Sequence, residues 1–129
     1  MTLRILIADD EPAIATSLEY LLNKSGYETE VASDGEVALA LAGTFKPDLI
    51  VLDLMLPRLS GLEVCRALRA DPQQRHVKIL MLSARGGAAD LERGYAAGVD
   101  IYQVKPFSTQ ELLGQVRQLL SIVVSPHGN

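Results

Sequence analysis

Short apolar runs alternate along the chain with longer stretches in which apolar residues recur at helical spacing, the pattern of successive βα units around a parallel sheet. The runs predict strands at Leu3 to Ala8, Glu28 to Ala32, Leu49 to Leu52, Lys78 to Leu82 and Ile101 to Val104. Polar and apolar residues alternate from Glu28 to Val31, which suits an edge strand. Leu49 to Leu52 is apolar throughout, which suits the centre of the sheet.

The intervening segments carry helix start and stop chemistry. Pro12 suits a first helical turn, where its missing N–H costs nothing. Ile14, Leu18, Leu21 and Leu22 then form one apolar face, and Gly26 offers a left-handed stop. Ser33 with Glu36, Ser60 with Glu63 and Ser108 with Glu111 have capping-box spacing and mark three further helix starts. The last helix presents Leu112, Leu113, Val116, Leu119, Leu120 and Val123 at helical spacing. The fourth, from Ala88 to Ala97, contains Gly94, follows Gly86 and Gly87, and has few large apolar residues, so it is expected to be the least stable.

Length and composition narrow the function. A chain of 129 residues fits one domain with a single core. It is expected over residues 1 to 124, with Ser125 to Asn129 as a loose tail. A net charge of −4 argues against a nucleic-acid surface on this domain. No apolar stretch is long enough for a membrane span and no export segment is recognisable, so membrane insertion is not expected and the cytoplasm is the default location. The single cysteine, Cys65, sits in an apolar helical pattern and reads as a buried structural thiol.

In a parallel α/β sheet, ligands gather beyond the carboxyl ends of the strands. Asp9, Asp10 and Glu11 follow the first strand, Asp53 the third, Ser83 the fourth, and Lys105 with Pro106 the fifth. Singly, each has an ordinary explanation: acids favour a helix dipole, a lone Asp or Ser serves in turns, and a lone Lys is a solvated strand end. His76 and His127 have no partners at a metal-binding spacing. Four strand ends carrying chemistry to one rim are another matter. Acids crowded around a central carboxylate suit a hard cation such as Mg²⁺, while a lysine and a hydroxyl complete a cradle for phosphate oxygens.

These stretches resemble the receiver domain of two-component response regulators, of the chemotaxis-regulator kind, over essentially the whole chain. The matching residues are Ile5 through Glu11, Asp53 through Pro57 with Ser60 and Gly61, Ser83 with Ala84, and Tyr102 through Phe107, at the family's spacings. The resemblance implies a doubly wound, flavodoxin-like α/β fold, with five parallel strands in the order 2-1-3-4-5 flanked by five helices. Asp53 would accept a phosphoryl group from a sensor histidine kinase or a histidine phosphotransfer protein. Asp10 and Asp53 would ligate Mg²⁺ directly, Asp9 mainly through water, and Met55 through its backbone carbonyl. Lys105 and Ser83 would hold the phosphoryl oxygens, and Pro106 would follow a cis peptide bond. Ser83 and Tyr102 would form the switch that alters the face of the fourth helix, fifth strand and fifth helix. On this reading the chain catalyses its own phosphorylation and dephosphorylation but acts chiefly as a regulator, and a homodimer formed on phosphorylation is a partner the family allows.

Three residues depart from the family pattern: Ile101 in place of a common Asp, Gln103 in place of an aliphatic residue, and Ser83 in place of Thr. None removes a chemical group from the rim. A flavin-binding module of the same fold would need a neutral, Gly- and hydroxyl-rich loop where three acids stand. A haloacid-dehalogenase-type phosphatase would need a second Asp where Met55 stands, and a pseudo-receiver would not need the complete set of acid, hydroxyl and lysine. With no output module visible, a single-domain regulator is expected slightly ahead of the receiver piece of a longer protein.

Overall fold

The computed structural model describes residues 2–124, with side chains through residue 121. The expected tail at Ser125 to Asn129, His127 within it, and the side chain of Val123 lie outside the described residues. The elements alternate in the order β1 (Arg4–Ala8), α1 (Pro12–Lys24), β2 (Glu28–Ala32), α2 (Gly35–Phe45), β3 (Leu49–Asp53), α3 (Gly61–Ala70), β4 (Lys78–Ser83), α4 (Ala88–Ala97), β5 (Ile101–Val104) and α5 (Thr109–Val124). All strand pairs are parallel, and the sheet order is β2-β1-β3-β4-β5. The predicted fold class and topology are those observed.

Strand residues alternate between two cores, one on each face. Leu6, Ala8, Ile50, Leu52, Ile79 and Met81 pack towards one cluster, which includes Val64, Cys65 and Leu68 of α3. Ile5, Ile7, Leu49, Val51, Leu80 and Leu82 pack towards the other, with Leu18 and Leu22 of α1 and Leu112, Val116, Leu119 and Leu120 of α5. A sheet covered on both faces needs continuously apolar strands, and β3, at its centre, is buried at all five positions. Such a strand delivers a side chain to solvent only at its ends.

Two boundaries move by one residue in a way that matters. β3 runs on to Asp53 and β4 to Ser83, so both polar residues are still held in the ladder, Asp53 opposite Leu82 and Ser83 opposite Val104. The capping box expected from Ser33 with Glu36 is corrected: Asp34 is the N-cap of α2, and its Oδ1 accepts the Val37 N–H at 2.8 Å. Glu36 instead faces Arg58 at 3.4 Å. Asp34 wins because its carboxylate reaches the third helical amide one position later, which a box begun at Ser33 would not serve. The boxes at Ser60 and Ser108 form as expected. Gly26 adopts φ 99° after α1, as predicted.

At the end of the sheet away from the carboxyl rim, Arg69 ties α3 to the start of β5. Its guanidinium donates to Gly98 O at 3.0 Å, Val77 O at 2.6 Å and Asp100 Oδ2 at 2.8 Å. Asp100 Oδ2 also accepts the Ile79 N–H at 2.8 Å. The C-terminal end of α4 is thereby fixed. Its N-terminal end starts at Gly87 with no side-chain cap, and only Gly94 and Ala97 of the helix are buried, in keeping with the weak fourth helix expected.

Candidate functional site

The carboxyl ends of β1, β3, β4 and β5 bring the predicted residues to one rim. Asp9 is 3% exposed and Asp53 is 4% exposed, whereas Asp10 is open to solvent. One carboxylate oxygen from each of the three lies within 4.8 Å of the other two. The Glu11 N–H donates to Asp9 Oδ1 at 2.9 Å, fixing that side chain against the start of α1. Asp9 Oδ2 is buried without a hydrogen-bond partner among the described residues. Burial pushes the Asp9 carboxyl above its ordinary range, the Asp53 charge adds to this, and the Glu11 N–H opposes it.

Three carboxylates this close repel one another, and a buried acceptor left unpaired costs about 1–3 kcal/mol. A hard divalent cation relieves both costs, and the oxygen-only donor set suits Mg²⁺, which keeps part of its water shell. The residues present therefore fit such an ion. Met55 lies in the loop beyond Asp53, its side chain exposed and its N–H donating to Asp53 Oδ1 at 3.2 Å.

Lys105 reaches the same carboxylate from the other side, with Nζ 3.4 Å from Asp53 Oδ2 and 4.0 Å from Glu11 Oε1. Lys105–Pro106 is a cis peptide bond, as expected, and the one found among the described residues. Ser83 is fully buried at the end of β4, and its Oγ accepts the Arg85 N–H at 2.9 Å. The Arg85 carbonyl in turn accepts the Tyr102 hydroxyl at 2.8 Å. Tyr102 is turned inward, 7% exposed. One backbone residue thus links Ser83 to Tyr102.

The β3–α3 loop is held against the rim by close backbone contact. Gly61 N–H donates to Leu54 O at 2.8 Å, and a Cβ at Gly61 would stand 2.5 Å from Asp53 O. Only glycine allows that approach. Arg58 in this loop adopts φ 71°, in the left-handed region, with its guanidinium turned to Asp34 and Glu36.

Every site residue expected from sequence is on or beside this rim. The Arg85 main chain, the Glu11 contact to Lys105 and the Gly61 contact were not anticipated, because the first two join residues far apart in the chain and the third depends on a backbone approach. The departures also have structural settings. Ile101 joins the core cluster beneath α1 and α5. Gln103 pairs across to α5, with Gln115 Nε2 donating to its Oε1 at 2.6 Å.

Comparison with known proteins agrees with the geometry. Residues 5–117 match the response regulator receiver domain. The chain is 49% identical over 120 residues to the alkaline phosphatase synthesis transcriptional regulatory protein PhoP of Bacillus subtilis, covering 93% of this chain and 49% of that protein. It is 45% identical over 117 residues to the DNA-binding dual master transcriptional regulator RpaA of Synechocystis, covering 91% of this chain and 48% of the relative. It therefore spans about half the length of these relatives. Among solved structures, the Vibrio cholerae chemotaxis protein CheY4 superposes with a TM-score of 0.87 at 32% identity, covering 92% of this chain and 99% of that one. The receiver domain of Francisella response regulator 1452 superposes with a TM-score of 0.88 at 34% identity, covering 95% and 99%. With a match this long, a shared topology and the acids, serine and lysine gathered on one rim, the chain belongs to the response regulator receiver family of two-component systems.

Proposed function

We propose that the receiver unit, taken over residues 1 to 124, is a phosphoacceptor switch in the cytoplasm that takes its phosphoryl group from a sensor histidine kinase or a histidine phosphotransfer protein. The observation that carries this reading is the setting of Asp53, a nearly buried carboxylate between the Asp9 and Asp10 acids on one side and the Lys105 ammonium, 3.4 Å away, on the other. An oxygen of Asp53 attacks phosphorus, the bond from phosphorus to the donor imidazole breaks, and its electron pair returns to the imidazole nitrogen. The product is an acyl phosphate on Asp53.

Lys105 and the Ser83 hydroxyl bind the transferred oxygens and neutralise their charge, which is most of what phosphoryl transfer asks of a protein. Asp10, Asp53 and the Met55 carbonyl would hold Mg²⁺ directly, and Asp9 would hold it through water. Mg²⁺, when bound, supplies charge neutralisation for the donor and acceptor oxygens.

The output is read from the face of α4, β5 and α5. Ser83 reaches that face through Arg85 and Tyr102, whose inward position buries the ring. A further domain, a separate partner or a second copy of the receiver reads the change there. The names of the relatives refer to transcription and DNA binding, which makes control of a DNA-binding output one form this takes.

Incubation with acetyl phosphate and Mg²⁺, followed by intact-mass measurement, tests the reading. The parent should gain one phosphoryl group and Asp53→Asn none. Comparable gain by Asp53→Asn would assign the acceptor elsewhere.

A further inference from the structure

Gly94 sits in the middle of α4, where glycine weakens a helix relative to alanine. The other glycines inside helices, away from the first turn, have no close neighbour: a Cβ at Gly43 of α2 or Gly114 of α5 would meet nothing within 4 Å. A Cβ at Gly94 would stand 2.6 Å from Cδ2 and 3.0 Å from Cε2 of Tyr102. The inward Tyr102 ring therefore lies directly on the α4 backbone, in a seat that any side chain at position 94 would fill.

The next residue reaches back to the same target. Tyr95, half-exposed on α4, accepts the backbone N–H of Tyr102 on its phenol oxygen at 3.1 Å. β5 is an edge strand, and an edge presents backbone groups that no neighbouring strand satisfies. Tyr102 is thus held at three points: its ring on Gly94, its amide on Tyr95 and its hydroxyl on Arg85 O. All three belong to α4 or to the loop that leads into it.

We propose that Gly94 and Tyr95 are positioning residues of the switch, Gly94 being the seat that admits the inward Tyr102 and Tyr95 the tie that fastens the β5 edge to α4. The inference rests on the reading of Tyr102 as the toggle. It adds that the balance between inward and outward Tyr102 is set by α4 as well as by Ser83. Arg69 fixes the C-terminal end of α4 through Gly98, so movement of the uncapped N-terminal end swings Gly94 and Tyr95 relative to β5.

The test uses the whole chain labelled with 3-fluorotyrosine, read by fluorine NMR, thermal unfolding and amide exchange. Gly94→Ala should move the Tyr102 resonance towards that of a solvated ring and lower the Tm, whereas Gly43→Ala should raise the Tm. In a Tyr102→Ala background the sign should reverse, and Gly94→Ala should raise the Tm as Gly43→Ala does. That reversal also covers failure of Gly94→Ala to fold: recovery of folding in Gly94→Ala/Tyr102→Ala supports the seat, and continued failure overturns it. Tyr95→Phe should speed exchange of the Tyr102 amide about tenfold, the factor one ordinary hydrogen bond is worth. A Gly94→Ala variant that keeps the parent's Tyr102 resonance and gains Tm overturns the seat. An unchanged Tyr102 exchange rate in Tyr95→Phe overturns the tie. None of these readouts requires a phosphoryl group, so failure of the parent to gain mass from acetyl phosphate would count against the phosphoacceptor reading alone.

Discussion

Lys105 Nζ lies 3.4 Å from Asp53 Oδ2 although their strands, β5 and β3, are separated by β4. The lysine spans that strand's width with its flexible stem while its head stays only partly exposed. Its value should appear chiefly in the reaction, where negative charge develops beside Asp53. Lys105→Met keeps the stem and removes the charge, and should slow uptake from acetyl phosphate about 100-fold, the usual cost of losing one well-placed electrostatic contact. The rate of mass gain under saturating Mg²⁺ measures this; a loss under threefold would remove Lys105 from the reaction.

The acid trio should make stability depend on metal and on pH. The Asp9 carboxyl is raised above its ordinary value of 3.8, so the folded protein holds this proton more tightly than the unfolded chain does. Its stabilising effect is present below that ordinary value and is lost as pH rises through the raised folded value. At neutral pH with chelator, the ionised Asp9 is therefore a net cost, and Asp9→Asn should unfold at a higher temperature than the parent. Mg²⁺ should narrow the gap by stabilising the parent more, by about 2.7 kcal/mol at 100 times the dissociation constant if only the folded state binds. Melting curves with and without Mg²⁺ check both signs.

The fold was legible because its determinants are local. Apolar runs marked all five strands, and the edge and centre assignments drawn from Glu28 to Val31 and Leu49 to Leu52 match the sheet order. The site was legible for a related reason: a parallel sheet sends the carboxyl ends of its strands to one rim, so residues distant in sequence could be grouped before any distance was known. What could not be read depended on approach between elements. Nothing around Gly94 announces the Tyr102 ring, and nothing around Arg69 announces Gly98 or Asp100. The shift of the α2 cap from Ser33 to Asp34 turned on a single residue where two adjacent polar side chains competed for the same amides.

Cys65 offers a check on the α3 packing. It is fully buried, its Sγ lies 3.2 Å from Ala97 O, and burial pushes its thiol pKa up, so little thiolate is present at neutral pH. The native protein should leave an aromatic disulfide reagent unreacted over the time in which the denatured chain reacts with one equivalent. Prompt reaction of the folded protein would mean that α3 opens readily from the sheet.

Gly61 should tolerate even less than Gly94, because the atoms facing it belong to backbone that cannot rotate away. A Cβ there would stand 2.5 Å from Asp53 O and 2.9 Å from Leu54 Cα. Gly61→Ala should cost about 1–3 kcal/mol in chemical denaturation, the range for overpacking a closed site. It should also slow phosphoryl uptake, since the displaced loop carries the Met55 N–H that contacts Asp53. Full stability in Gly61→Ala would show that the loop has room to shift.

Ser83→Ala separates the chemistry from its transmission. The Ser83 Oγ accepts the Arg85 N–H at 2.9 Å, and the Arg85 carbonyl accepts the Tyr102 hydroxyl at 2.8 Å, so one residue's backbone carries the position of the serine to the tyrosine. A hydroxyl can donate to a phosphoryl oxygen while it goes on accepting from Arg85, so drawing Ser83 towards Asp53 pulls the loop with it. Alanine deletes that handle but keeps Asp53, the acid trio and Lys105. Ser83→Ala should therefore still gain one phosphoryl group from acetyl phosphate, several times more slowly. Its amide resonances on α4, β5 and α5 should shift much less than the parent's when beryllofluoride, which mimics the phosphoryl group, is added with Mg²⁺. Tyr102→Phe should weaken the same response with no slowing of uptake, because it removes the far end of the chain without touching the site. If both variants respond on that face as strongly as the parent, the link through Arg85 is not the route by which Asp53 reaches it.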